Sequence, residues 1–180
     1  MNWKNLFNKV GGWLQSRNED GSWKRYDADW RESTYKNYFW MVPYDLQGLI
    51  DSIGGKEAAE KRLDEMFRRL DASYGDEWFA SGNEPSFQIP WIYNWAGAPY
   101  KAQQVIRRIL NEQYSSRVNG LPGNDDLGSM GAWYVFASIG LFPEIPGVGG
   151  FSVNSPVFRK IVLHLPEGDV IIKGGDEKKE

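Results

Sequence analysis

The sequence predicts a mainly helical fold in which neighbouring helices pair as hairpins, followed by a small antiparallel sheet. Two central segments repeat apolar residues at the spacing of an amphipathic helix. Beyond the glycine-rich stretch at 147–150, short alternating and β-branched runs replace this spacing, as is typical of strands. The length of 180 residues suits one domain with a sizeable core.

The first predicted helix covers residues 2–16. Its apolar residues recur at spacings of three and four: Trp3, Leu6, Phe7, Val10 and Leu14. The pair Gly11-Gly12 weakens this prediction, because glycine is unfavourable inside helices. A polar, turn-rich loop follows. Asp45 is then a candidate cap for the helix LQGLIDSI, which should end at Gly54-Gly55.

The clearest predicted helices cover 56–71 and 99–114. Each carries one apolar stripe, formed by Ala59, Leu63, Met66, Phe67 and Leu70 in the first and by Ala102, Val105, Ile106, Ile109 and Leu110 in the second. Pro99 stands where the first turn of a helix tolerates proline. The segment 129–142 is apolar on nearly every side, which predicts a helix that is buried all round.

The C-terminal part of the chain predicts strands. Three short runs alternate or are β-branched: FSVNS, KIVLHL and DVIIKG. The sequence PEG between the last two predicts a tight turn, so these two strands should form a hairpin. The tail, residues 175–180, is predicted to fray.

Composition excludes several functional classes. The net charge is −3, so the basic surface of a nucleic-acid-binding protein is not expected. The chain has no cysteine and a single histidine, His164, which excludes thiolate and multi-histidine metal sites within one chain. No apolar run approaches the ~20 residues of a membrane span, and no signal peptide is recognisable near the start. Aromatic residues make up 15% of the chain.

Three polar loops place carboxylates beside aromatic residues and glycine. Glu32 lies in the first loop, Glu84 follows Asn83 in the second, and Asp125 and Asp126 are adjacent in the third. Simpler explanations exist for each: a solvated loop side chain for Glu32, and a helix cap for Glu84 or Asp126. Two adjacent aspartates are nevertheless more than one cap requires.

Loop carboxylates surrounded by aromatic residues suit glycoside hydrolysis. In this chemistry one carboxylic acid protonates the leaving oxygen, and a second carboxylate acts as nucleophile or activates a water molecule. A Ser-His-Asp or Cys-His set cannot be assembled from these loops. The residues alone leave the choice between catalysis and capping open.

The same loops carry a resemblance to a known family. The segments GNEPSFQIPWIYNWAGAPYKAQ and GLPGNDDLGSMGAWYVFASIGLFPEIPG resemble the C-terminal part of family-92 glycoside hydrolases, which are calcium-dependent exo-α-mannosidases. The upstream ESTYKNYFWMVPYDLQGLI and the final FSVNSPVFRKIVLHLP are similar to further segments of that family. The resemblance covers about residues 1–173. It implies part of an (α/α)6 toroid over 1–145, with a C-terminal β segment, 146–174, packed on it.

The resemblance also implies roles for individual residues. Glu32 matches the family's catalytic acid, which protonates the glycosidic oxygen. Asp126 matches the catalytic base, which activates water from the opposite face of the sugar. Asn124 falls where many members carry a second aspartate that assists the base. The family inverts configuration, so the acid and base should lie about 6.5–9.5 Å apart.

Substrate and metal contacts are implied in the same way. Glu84, Asn83, Trp40 and Asp45 match positions in or beside the substrate site. Glu84, Gln88 and nearby carbonyls are candidate ligands for the family's calcium ion, since this cation takes oxygen ligands. The expected partners are α-mannoside glycans, and the resemblance implies an extracytoplasmic or secreted location.

This sequence also departs from the family pattern. The family's paired histidines are Phe87-Gln88 here, and the histidine of its V-P-H-D motif is Tyr44. Family members additionally have an N-terminal β-sandwich and a complete toroid. We therefore expect one of three arrangements: self-association through an uncovered apolar face, an N-terminal domain on another chain, or a sequence that is a fragment of a longer protein. The alternative function is a non-catalytic carbohydrate-binding or structural remnant of the family.

Overall fold

The computed structural model describes residues 2–174, and the predicted fraying of the tail lies outside them. The fold is mainly helical, as the sequence predicts. Its helices are α1 (Tyr35–Tyr38), α2 (Leu46–Ser52), α3 (Lys56–Met66), α4 (Ile92–Trp95), α5 (Pro99–Glu112) and α6 (Ser129–Ile139). Single 3-10 turns cover Asn2–Asn5, Pro43–Asp45, Glu84–Ser86 and Ile89–Trp91.

The predicted helix over residues 2–16 is wrong. After the 3-10 turn the chain forms a small hairpin from strands β1 (Phe7–Asn8) and β2 (Trp13–Leu14). Gly12 adopts a φ of 70°, which belongs to a turn. The guanidinium of Arg62 on α3 lies 4.0 Å from the centre of the Trp13 ring and donates to the Gly12 carbonyl at 2.6 Å. These tertiary contacts outweigh the helical spacing of the apolar residues.

The amphipathic helices are confirmed, with adjusted ends. The α5 stripe is buried as predicted, and so is the α3 stripe, although α3 ends at Met66 rather than near residue 71. Residues 67–70 leave the helix because the chain turns toward an antiparallel bridge between Asp71 and Ala80. The two helices are tied on their exposed sides by Lys101, which contacts Glu60 at 2.7 Å and Asp64 at 2.6 Å.

Asp45 does not cap α2 with its side chain. Its carboxylate accepts a hydrogen bond from the Trp3 indole at 2.8 Å and thereby fastens the start of the chain to this helix. The end of α2 before Gly54-Gly55 is confirmed, since both glycines have positive φ values.

The apolar helix α6 is buried on one face only. Met130, Trp133 and Ala137 are buried, whereas Tyr134 and Val135 are 42% and 56% exposed. The prediction of a helix buried all round is therefore wrong for the described chain. An apolar sequence indicates that a helix prefers burial, but the described residues cover only one side of it.

Within residues 2–174, the strands form three separate two-stranded antiparallel sheets rather than one. The predicted hairpin is confirmed: β5 (Lys160–Leu165) pairs with β6 (Gly168–Lys173), from Lys160 opposite Lys173 to Leu165 opposite Gly168. The remaining predicted strand, in the run FSVNS, is shorter than predicted. As β4 (Ser152–Val153) it pairs with β3 (Leu141–Phe142), directly after α6.

Asn154 attaches the segment after β4 to the helices. Its amide oxygen accepts from the Trp91 indole at 3.1 Å, and its amide nitrogen donates to the Ala137 carbonyl at 3.0 Å. Trp91 also stacks on Phe142 with ring centres 4.0 Å apart. The boundary predicted between 145 and 146 stays a prediction. Across residues 2–174, none of the helices has the length and apolarity needed to cross a membrane.

Glu144 is a buried carboxyl in the loop between β3 and β4, with 5% of its surface exposed. One oxygen accepts from Ser152 and, at 3.2 Å, from the Trp95 indole. The other oxygen is buried and has no hydrogen-bond partner within residues 2–174. Burial raises the pKa of this carboxyl above its usual 4.5.

This raised pKa predicts a pH-dependent stability. The folded chain binds the Glu144 proton more tightly than the unfolded chain does, so the free energy of unfolding should fall as the pH rises above about 4.5. In the Glu144→Gln variant this decline should be smaller when urea denaturation is compared between about pH 4.5 and pH 7. The exposed Glu167→Gln variant is the control, and an equal decline in both variants would contradict the assignment.

Candidate active site

A cleft of about 260 Å³ lies between three loops of the helical region. It is lined by Glu32, Ala72, Ser73, Tyr74, Ala80, Gly82, Asn83, Pro122, Gly123, Asn124 and Asp126. The cleft therefore brings together four of the residues that the sequence singled out, from stretches far apart in the chain. The side chains of the predicted acid and the predicted base are both exposed.

Asn83 holds Glu32 in place through contacts of its side-chain amide. This amide is only 7% exposed. Its nitrogen donates to the backbone carbonyl of Glu32 in a short contact and approaches the Glu32 carboxylate at 3.4 Å. Its oxygen accepts from the backbone N–H of Glu84 at 3.2 Å and so caps the following 3-10 turn. One buried side chain thus connects the second polar loop to the predicted acid.

The backbone of Glu32 is held from the other side by an aromatic pair. Its N–H approaches the Tyr38 hydroxyl at 3.4 Å. The Tyr38 ring stacks on Trp30 with 5.0 Å between ring centres and 23° between planes. Glu32 is therefore fixed through its main chain, while its carboxylate stays at the cleft surface.

Two glycines set the distance between the second and third loops. A Cβ atom on Gly82 would lie 2.5 Å from the carbonyl oxygen of Pro122, and one on Gly123 would lie 2.2 Å from the carbonyl oxygen of Gly82. The backbones of the two loops are thus in direct contact, which any larger residue would prevent. This contact places the loop of Asp126 against the loop of Asn83.

The two adjacent aspartates perform different tasks. The Asp125 carboxylate accepts from the backbone N–H of Gly131 at 3.2 Å, in the first turn of α6. The N-cap residue of α6 is Gly128, which has no side chain, so Asp125 supplies the capping contact from three residues upstream and satisfies one of the free N–H groups at the helix start. The alternative in which the Asp126 side chain is the cap is therefore wrong, and the Asp126 carboxylate lines the cleft instead.

The turn that presents Asp126 is strained. Asp126, Leu127 and Gly128 have successive φ values of 46°, 59° and 89°. The left-handed region costs an L-residue on the order of 1–2 kcal/mol, although aspartate tolerates it better than leucine. Leu127 is fully exposed, so packing does not compensate its strain within the described chain. Such strain is concentrated at functional sites, which agrees with a special orientation of Asp126.

The other predicted site residues lie outside the cleft lining. Trp40 is 0% exposed and packs edge-on against Phe39, so it is a core residue rather than a surface for substrate. Asp45 is engaged with Trp3, as described above. Glu84 is half-buried beside the cleft, at the start of the 3-10 turn that Asn83 caps.

The residues predicted to bind calcium do not form a cation site by themselves. Gln88 is 9% exposed, and its amide nitrogen donates to the Pro85 carbonyl. Residues 2–174 contain no cluster of three or more histidine or carboxylate side chains that could hold a metal ion. Because calcium takes about 6–8 oxygen ligands, Glu84 and Gln88 would need backbone carbonyls and other oxygens to complete a site, and calcium binding stays a prediction.

Sequence reasoning missed the wall formed by Ala72, Ser73 and Tyr74. These residues belong to a polar loop without helical or strand spacing, and they bear no carboxylate that would attract attention. The available signal was an aromatic residue next to glycine in the stretch SYGD, directly before the loop of Asn83.

Comparison with known proteins places this geometry in context. The profile described as "Glycosyl hydrolase family 92 catalytic domain" matches residues 1–180. An "Uncharacterized secreted glycosidase" of Arthroderma benhamiae is 28% identical over 194 residues, which cover 92% of this chain and 24% of that protein.

Solved structures give similar matches. A family GH92 α-mannosidase from Bacteroides thetaiotaomicron aligns with a TM-score of 0.83 and 32% identity over 95% of this chain and 24% of that chain. It has also been solved in complex with mannoimidazole. A family GH92 inverting mannosidase from the same organism aligns with a TM-score of 0.85 and 31% identity over 98% of this chain and 27% of that chain. The chain thus spans about a quarter of the length of these relatives.

The glycine contact predicts the effect of adding one methyl group. Gly82→Ala and Gly123→Ala should each lower the free energy of unfolding by about 1–3 kcal/mol, because the loops must separate to admit the Cβ atom. Denaturant unfolding measures this change. Gly149→Ala is the matched control, since open space surrounds that position and its effect should be small. Equal stability of all three variants would show that the loops are not in contact.

Proposed function

We propose that this chain, which belongs to glycosyl hydrolase family 92, carries the acid and base of an inverting hydrolase of terminal α-linked mannose. The observation that carries the proposal is that Glu32 and Asp126 line one cleft. Similarity to an α-mannosidase and to an inverting mannosidase supports both the substrate class and the stereochemistry. The complex of one relative with mannoimidazole, a mannose mimic, supports a mannoside as the ligand.

Glu32 is the proposed acid. Protonated, it donates its proton to the glycosidic oxygen as the bond to the anomeric carbon breaks, and the leaving group departs as a neutral alcohol. Asn83 supports this role because its amide fixes the Glu32 backbone and approaches the carboxylate. Fixed geometry lowers the entropic cost of reaching the transition state.

Asp126 is the proposed base. As a carboxylate it removes a proton from water, and the resulting oxygen attacks the anomeric carbon from the face opposite the leaving group. Asp125 supports this role by taking over the helix cap, which leaves the Asp126 carboxylate available. Asn124, in the same cleft, is proposed to orient that water through its amide.

Contacts of the sugar other than those with the acid and the base are proposed in less detail. The cleft volume lies just below the ~300–1,000 Å³ of typical small-molecule sites, which suits one small ligand. We propose that the helices form part of an α/α toroid, and that Glu84 and Asn83 contact substrate hydroxyls at its edge. The exposed Tyr134 and Val135 on α6 are consistent with a larger helical assembly.

Mannose release tests the roles of the two carboxylates. Glu32→Gln and Asp126→Asn should each reduce hydrolysis of an α-mannoside about 10²–10⁴-fold, the usual contribution of general acid–base catalysis. A dinitrophenyl leaving group needs little protonation, so it should largely restore the Glu32→Gln variant but not the Asp126→Asn variant. Glu57→Gln on the exposed side of α3 is the control.

Three results would contradict the proposed hydrolase function or favour an alternative to it. Full activity in both variants would exclude these residues as acid and base. Saturable mannoside binding by the unmodified chain without turnover at any pH would favour the non-catalytic carbohydrate-binding remnant. Absence of both binding and turnover would favour a structural remnant.

A further inference from the structure

Tyr74 is an exposed aromatic residue at the mouth of the cleft. It lines the same cavity as Glu32 and Asp126, yet 62% of its surface is accessible. Among residues 2–174, its ring has no aromatic partner within contact distance, and its hydroxyl makes no hydrogen bond. A tyrosine that contributes this little to the core is not explained by packing.

The turn that carries Tyr74 is well ordered by its own hydrogen bonds. The Asp76 carboxylate accepts from both the backbone N–H and the hydroxyl of Ser73, at 3.0 and 2.8 Å. The backbone N–H of Asp76 also donates to the Ser73 carbonyl at 3.1 Å. The exposed ring is therefore presented by a closed turn and not by an extended loop.

The loop of Tyr74 is hydrogen-bonded to the segment that directly follows the proposed acid: the Thr34 hydroxyl donates to the Asp76 carbonyl at 3.4 Å, and the Asn37 amide donates to the Trp78 carbonyl at 3.0 Å. The base of its loop is closed by the Asp71–Ala80 bridge and by the Ala72 N–H, which donates to the Phe79 carbonyl at 3.1 Å. Residues 72–74, 80, 82 and 83 thus form one wall of the cleft. That wall ends at Asn83, which holds Glu32. Residues 122–126, which carry the proposed base, line the same cleft and meet this wall at Gly82.

We propose that Tyr74 is a specificity-determining residue whose ring receives the leaving sugar, on the acid side of the cleft. This inference rests on the proposed function. An acid must lie next to the glycosidic oxygen, so the group that departs with this oxygen lies on the acid's side, and water enters from the side of the base. An exposed tyrosine ring offers a flat apolar face for sugar C–H groups, while its hydroxyl remains free for hydrogen bonds.

Binding of two ligand lengths to the unmodified chain and its variants tests this role. Methyl α-mannoside occupies only the position of the cleaved sugar, whereas an α-linked mannobiose also fills the leaving position; sulfur in place of its glycosidic oxygen prevents hydrolysis during the measurement. Tyr74→Ala should weaken mannobiose binding about threefold to tenfold, in line with the strength of aromatic contacts, and leave methyl α-mannoside unchanged. Tyr74→Phe should retain most of the affinity, because the ring face is kept.

Tyr100→Ala is the matched control. Tyr100 is also exposed, at 56%, but it lies on α5 outside the cleft lining. Titration calorimetry gives the affinities, and saturation-transfer NMR shows which sugar of the mannobiose lies against the protein. Unchanged mannobiose affinity in Tyr74→Ala, or an equal loss for both ligands, would overturn the role of Tyr74 while the proposed hydrolase function stands. Absence of binding of either ligand to the unmodified chain would overturn both.

Discussion

The backbone contact between Gly82 and Gly123 is the constraint on which the candidate site depends. One loop carries Asn83 and, through it, Glu32; the other carries Asp126. Because a Cβ atom on either glycine would overlap the opposite backbone, the two loops approach as closely as polypeptide permits. The cleft and its two carboxylates follow from this approach. Neither glycine has a reactive side chain, yet their contact determines how the carboxylates of Glu32 and Asp126 are placed.

The adjacent aspartates illustrate how a short loop separates structural and chemical roles. Asp125 caps α6, and Asp126 faces the cleft from a left-handed turn that few residue types adopt. Asp125 makes the contact with the first turn of α6 although it lies one residue further from the helix in sequence, and the Asp126 carboxylate is therefore not needed there. The helix behind them is buried on only one face, so the cap and the Trp133 side of α6 anchor the turn.

Local patterns predicted the elements that are governed by local forces. The apolar stripes of α3 and α5 and the hairpin of β5 and β6 follow from periodicity and turn chemistry. The N-terminal segment escaped prediction because Arg62, far along the chain, fastens Gly12 and Trp13 in a hairpin. The family resemblance pointed to Glu32, Asn83, Asn124 and Asp126, which share the cleft. It could not reveal Tyr74 or the burial of Trp40, because these depend on how the loops and the core pack and not on the matched motifs.

The central claim is that Glu32 and Asp126 face one cleft at the separation of an inverting pair. The most direct measurement is the distance between their nearest carboxylate oxygens in a crystal structure of the chain. We predict that both oxygens face the same cleft about 6.5–9.5 Å apart, with room for one water molecule and an anomeric carbon between them. Carboxylates on separate surfaces, or a separation of about 5–5.5 Å as in retaining enzymes, would contradict it.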